Sequence, residues 1–132
     1  MHPISETLCR VYELLLSKGQ VSFPLTERNK EALDSIIKTV HGSYFGFDRF
    51  PNPEDKATAY LVLVVKGHPL TDGNKRTALL WFQVYCDVEG LKPNEPEFGY
   101  DALMVAIEQS DPDKLDDLMK PVQNLLFAPT IT

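Results

Sequence analysis

Gly67-His68-Pro69-Leu70-Thr71-Asp72-Gly73-Asn74-Lys75-Arg76-Thr77-Ala78 is a polar dozen set between two apolar stretches. Ala59 to Val65, the most apolar run of the chain, precedes it, and Ala78 to Val88 follows. The dozen therefore reads as a loop joining two buried elements. Pro69, Asp72, Gly73 and Asn74 are turn formers, each for a separate physical reason. The segment beyond has helical periodicity, which puts Asp72 to Asn74 at a helix N-terminus. Such a terminus carries unpaired N–H groups and partial positive charge, both suited to an anion.

Lys75 and Arg76 sharpen that expectation. A cation in the first turn of a helix opposes its dipole by about 0.3–1 kcal/mol. Two in succession make sense where a multiply charged anion such as a polyphosphate docks. Asp72 would then hold a magnesium ion between protein and phosphates. His68, four residues earlier, is a candidate general base. Taken singly, each residue also fits an ordinary loop running into a basic first turn with a capping Asp. Together, a base, a metal ligand, an anion hole and two cations within nine residues favour a reactive site. A Walker phosphate loop fits poorly. It needs Gly-x4-Gly-Lys-Ser/Thr, whereas five residues separate Gly67 from Gly73 here, Asn74 precedes the Lys, and Arg76 replaces the hydroxyl.

His68-Pro69-Leu70-Thr71-Asp72-Gly73-Asn74-Lys75-Arg76 resembles the signature of the Fic/Doc family, H-x-F-x-[D/E]-G-N-[G/K]-R, with Leu70 where Phe is usual. Most members of that family carry Gly at position 75 and a second Arg at position 79, and transfer AMP from ATP to a protein hydroxyl. Lys75 and Leu79 are instead similar to the Doc (death-on-curing) branch. That resemblance implies a toxin of a toxin–antitoxin pair, phosphorylating elongation factor Tu on a threonine to arrest translation. It implies ATP and Mg2+ as cofactors, His68 as catalytic base, Asp72 as metal ligand, and Gly73, Asn74, Lys75 and Arg76 as nucleotide-binding residues. The alternatives are an AMP transferase, against which Lys75 and Leu79 speak, and a non-catalytic Fic-fold binding protein, against which the intact His68, Asp72, Asn74 and Arg76 speak. Many relatives restrain themselves with a Ser/Thr-x-x-x-Glu-Gly/Asn helix. No Glu of this chain has Ser or Thr four residues before it. A separate small antitoxin is therefore the expected inhibitor, with a segment that folds into a groove beside the motif helices.

A chain of 132 residues, 43% hydrophobic and 24% charged, suits one domain, 1–132, with an ordinary core. A net charge of −6 speaks against general nucleic-acid binding. Cys9 and Cys86 sit in apolar helical patterns and read as core thiols rather than a disulfide. No signal peptide is visible, and the longest apolar run is far too short to span a bilayer. The expected location is the cytoplasm.

Working outward along the chain, Ser5 to Ser17 is a helix with Leu8, Val11, Tyr12 and Leu15 inward and Gly19 beyond its end. Thr26 caps a second helix, buried through Leu33, Ile36, Ile37 and Val40 and ending at His41 and Gly42. His41 reads as a residue favoured by the helix dipole. Residues 42–51 carry four aromatics without helical period. They read either as a loop folded onto the core or as a short hairpin flap, in which Tyr44, Phe45, Gly46 and Phe47 pair with an extended segment of a target. The resemblance implies the second. Asn52-Pro53-Glu54-Asp55 starts the helix leading to the motif loop, 67–76. The next helix runs from about Asn74 to Glu89, inner face Ala78, Trp81, Phe82 and Tyr85, and is closed by Gly90. Glu97 to Gln109 is expected as a helix buried through Leu103, Val105, Ala106 and Ile107. Asp111-Pro112 starts the last helix, which Pro121 should kink or interrupt, and Asn124 to Thr132 should fray. The expected fold class is all-α: a compact Fic-type bundle of about six or seven helices with a small β-hairpin.

Overall fold

In the computed structural model, which describes residues 1–128, the chain forms six α-helices and one short hairpin, and one of the six helices is central and buried nearly all round. The helices are α1 (Pro3–Ser17), α2 (Glu27–His41), α3 (Pro53–Gly67), α4 (Asn74–Glu89), α5 (Gly99–Gln109) and α6 (Leu115–Phe127). The hairpin pairs β1 (Ser43–Tyr44) with β2 (Phe47–Asp48), antiparallel, Ser43 opposite Asp48 and Tyr44 opposite Phe47. The all-α expectation, hairpin included, is met.

Local chemistry accounts for the boundaries. Thr26 and Asn29 close a reciprocal capping box on α2. At the start of α3, whose first residue is Pro53, the Asp55 carboxylate accepts from the Asn52 N–H at 3.3 Å. Helix α4 begins after Gly73 and ends at Gly90, both at left-handed φ. α1 starts earlier than expected, at Pro3, because the His2 imidazole Nδ1 accepts a hydrogen bond from the Ile4 N–H and supplies the cap.

Helix α3 buries Ala57 through Val62, together with Val64 and Val65, and touches α2, α4, α5 and α6. Its main partner is α4, which faces it with Ala78, Trp81, Phe82 and Tyr85. A helix apolar on every side is stable only in such a position. Cys9 and Cys86 are both free and buried, as expected of core thiols, and burial pushes the Cys86 thiol up to about 12.

The C-terminal third departs from the sequence pattern. Val105 and Ala106 were expected inside, yet α5 buries Leu103, Met104 and Ile107 and leaves both of them exposed. A run of six apolar residues from Ala102 to Ile107 has no single helical phase, so neighbouring elements choose the face. A 3-10 turn, Pro112–Lys114, precedes α6, and α6 continues through Pro121 to Phe127 rather than stopping or fraying at Asn124. Pro121 removes one backbone bond and costs about 3 kcal/mol in a helix interior. Burial of Val122 and Leu126, with α6 against α3, offsets it. The expected fraying at 129–132 lies outside the described residues.

Candidate active site

The motif loop is bolted down before any of its chemistry begins. His68 closes α3 at φ +50, a left-handed conformation, and its N–H bonds back to the Val64 carbonyl. Left-handed geometry there turns the chain sharply away from the helix axis. Pro69 and Leu70 then go inward, and Leu70 is buried although Phe is usual in its place. The Asn29 side chain of α2 donates to the Pro69 carbonyl at 2.9 Å. Asn74, only 5% exposed, accepts from the Leu70 N–H and donates to the Leu70 carbonyl, both at 2.9 Å. Its side chain therefore clasps the loop, and its backbone remains at the mouth of α4. Gly73, at φ +76, lies under Val21, where an added Cβ would come 2.6 Å from the Val21 Cγ1. Glycine there meets two demands, a left-handed turn and a close approach.

The connector between α1 and α2 is the second wall. Val21 is buried, and the Tyr12 hydroxyl donates to the Phe23 carbonyl at 2.6 Å. The Ser22 N–H points to the Asp72 carboxylate at 3.4 Å, and the Arg76 guanidinium donates to the Gln20 carbonyl. Burial, and after it the Asp72 charge, hold the Tyr12 hydroxyl above its usual pKa. Helix α5 makes the third wall, where Glu108 pairs with the Lys75 ammonium at 3.3 Å. Lys66, in the last turn of α3, donates to the Glu108 and Ser110 carbonyls and so secures the end of α5.

Between these walls lies a cleft of about 710 Å³. His68, Asp72, Gly73, Asn74, Lys75 and Arg76 all line it, so the residues singled out from the sequence converge on one space. No side chain caps the N-terminus of α4, and its first turn contains no acidic residue. Its leading amides thus open toward the cleft with two cations beside them. The pair Lys75–Glu108 is partly exposed on both sides, and such pairs are worth about 0–1 kcal/mol. A polyphosphate can therefore displace or share that contact. Asp72 suits a magnesium ion held jointly with phosphates, because Mg2+ takes one or two carboxylates and completes its shell with phosphate oxygens and water. Among the described residues no group of three or more His, Cys, Asp and Glu could hold a metal by itself.

The structure does not bring the hairpin to this cleft. Among the described side chains of residues 42–51, none lines it. The hairpin leads into the N-terminal end of α3, whereas His68 stands past the C-terminal end, and fifteen helical residues rise about 22 Å. Phe45 and Phe47 are nevertheless 101% and 79% exposed, so they are not folded onto the core; Phe50 is. Sequence reasoning missed the walls, namely Gln20 and Ser22 on one side and Asp101, Met104, Val105 and Glu108 on the other. The i, i+3, i+4, i+7 spacing of the last four marks a single helix face, but nothing in the spacing says what that face meets.

The Fic/DOC family model matches residues 3–86. "Toxin Doc" of Mycolicibacterium smegmatis is 29% identical over 112 residues, which cover 83% of this chain and 76% of that protein. No solved structure gives a significant match.

Proposed function

This chain belongs to the Fic/Doc family, and we propose that it acts as the toxin of a toxin–antitoxin pair, moving the terminal phosphate of ATP onto a protein hydroxyl. The observation that carries the reading is the uncapped N-terminus of α4, opening between Lys75 and Arg76 into a cleft that His68 and Asp72 also line. The similarity to a protein named Toxin Doc supports the toxin role and, with it, a small antitoxin partner. Elongation factor Tu is the proposed target and the cytoplasm the proposed location. Among the described residues no helix is long and apolar enough to cross a membrane.

Phosphoryl transfer asks a protein mainly for positioning and charge stabilisation. The backbone amides at Gly73 and Asn74 receive phosphate oxygens, and Lys75 and Arg76 neutralise the charge that builds on them. Asp72 is the proposed ligand of a magnesium ion, which, when bound, offsets phosphate charge. His68 accepts the proton of the attacking hydroxyl; its ring is exposed to the cleft and, among the described residues, carries no hydrogen bond that would hold it elsewhere. Leu79 and Lys75 support transfer of the terminal phosphate rather than of AMP. The hairpin, with Phe45 and Phe47 exposed, offers a target an edge to pair with. At its distance from His68 it grips the target by a segment remote from the modified hydroxyl.

The deciding experiment incubates purified protein and magnesium with elongation factor Tu or a bacterial lysate, using ATP labelled at either the alpha or the gamma phosphate. Transfer of the gamma label alone is expected. Transfer of the alpha label would make the protein an AMP transferase, and no transfer of either would leave only a binding protein. In cells, expression of the wild-type chain alone is expected to arrest bacterial growth, and His68→Ala to be harmless.

A further inference from the structure

The imidazole assigned as base has no side chain to orient it. His68 is exposed at the cleft, and among the described residues no hydrogen bond fixes its ring. A base is ordinarily oriented by a further group, so here its position falls to the backbone. On one side the His68 N–H is tied to the Val64 carbonyl. On the other the chain turns inward, and Pro69 and Leu70 are buried. The Pro69 ring fixes φ and offers no N–H. The next peptide unit, the Pro69 carbonyl with the Leu70 N–H, is one rigid plane. It is gripped at both edges: the Asn29 side chain donates to the Pro69 carbonyl, and the Asn74 side chain accepts from the Leu70 N–H, both at 2.9 Å. Asn74 is local, whereas Asn29 comes from α2, 40 residues away in the chain.

We infer that Asn29 is a positioning residue for His68: its side-chain amide fixes the peptide plane that follows the base, and through it the left-handed turn that presents the imidazole to the cleft. The inference rests on the reading of His68 as base. Two partners settle the orientation of the amide. The Thr26 N–H, which can only donate, meets Oδ1 at 3.1 Å, so the NH2 group faces the Pro69 carbonyl, which can only accept. The residue type points the same way. After a Thr cap, the third helical position favours Glu or Gln, and an acid there would also suit the helix dipole. A carboxylate could complete the cap, yet when ionised it has no hydrogen to give to Pro69. Asn, 9% exposed, meets both needs. Without it the plane is held at one edge only, by Asn74, and the chain gains freedom at His68. Asn74, Lys75 and Arg76 remain part of α4. The base is therefore displaced while the phosphate site stays in place.

The test uses the full chain and separates this clamp from the cap of α2. Asn29→Asp keeps an oxygen for the Thr26 N–H but, at about pH 8, presents only acceptors to Pro69. Asn29→Ala removes the donor without adding a charge. Thr26→Ala removes the hydroxyl that accepts from the Asn29 N–H and leaves the Asn29 amide in place, so it controls for lost stability. Two readouts are taken: the imidazole NMR signal of His68, one of 3 histidines in the chain and assigned by its disappearance in His68→Ala, and steady-state transfer from labelled ATP to the target. In both Asn29 variants the His68 signal is expected to shift or split while those of His2 and His41 hold. Their kcat should fall about tenfold with the KM for ATP within about twofold. Thr26→Ala should lower the thermal midpoint and change neither readout. An unmoved His68 signal in the Asn29 variants, a rise in KM at constant kcat, or an equal loss of kcat in Thr26→Ala overturns the inference. A moved signal in the variants, where the wild-type protein transfers neither phosphate nor AMP, leaves the clamp standing and overturns the assignment of His68 as base.

Discussion

His68 occupies a backbone conformation that costs an L-residue about 1–2 kcal/mol, although His is among the side chains that tolerate it better. The strain sits on the residue assigned to the chemistry, as is common where geometry serves function rather than stability. Replacing it separates the two. His68→Ala and His68→Gly should both abolish target modification, but His68→Gly should be the more stable of the pair by about 0.5–1 kcal/mol, since glycine enters the left-handed region without a Cβ penalty. Urea denaturation of the two variants checks this, and a more stable alanine variant would show that the turn carries no strain. Asn74 behaves in the opposite way. Its amide is buried and spent on both polar groups of the Leu70 backbone, so Asn74→Ala should lose about 2–3 kcal/mol by leaving them unpaired. Phosphate affinity should fall with it, because the loop that aims the α4 terminus is released. Loss of affinity at unchanged stability would mean instead that the side chain itself contacts the nucleotide.

At the scale of elements, α4 and α6 depart from local preference in different ways. α4 places two cations in its first turn against the dipole and has no capping side chain, a local cost on the face that lines the cleft. α6 keeps Pro121 in its interior on an exposed face, and Pro121 does not line the cleft. Pro121→Ala should therefore stabilise the protein by about 1–3 kcal/mol without changing nucleotide binding, since it restores a backbone bond and removes a clash. Thermal unfolding is the measurement, and a fall in midpoint would show that α6 needs its proline shape to pack on α3.

Across the whole molecule, a row of rings ties the N-terminus to the centre. His2 stacks on His41 with centroids 5.5 Å apart, His41 shares a hydrogen bond with the Tyr60 hydroxyl, and Tyr60 meets Trp81 and Tyr85 edge-on. The row joins the start of α1 and the end of α2 to α3 and α4. Burial, then the charges of His2 and Lys56, hold the His41 pKa below its usual 6.5. A histidine whose folded pKa is depressed contributes stability that is present above its unfolded value and is lost as pH falls below it. The urea midpoint of the wild-type protein should therefore drop between pH 7.5 and pH 5.5 more steeply than that of His41→Gln, which keeps a hydrogen-bonding side chain but cannot titrate. Parallel slopes would remove His41 from the acid sensitivity.

What was legible in the sequence had local causes. Caps at Thr26 and Asn52, glycines at 73 and 90, and the apolar run from Ala59 to Val65 each act within a few residues, so helix order and the position of the motif loop could be read directly. Placement of His68, Asp72, Lys75 and Arg76 around one space followed from their nearness in sequence. The tertiary structure decided what depends on elements far apart in the chain. It turned Val105 outward into the cleft while burying Met104, set Val21 against Gly73, joined Lys75 to Glu108, and put the hairpin at the far end of α3. Periodicity says that a face exists, but only the packing of the helices against one another says what that face meets, because burial is a property of neighbours and not of spacing.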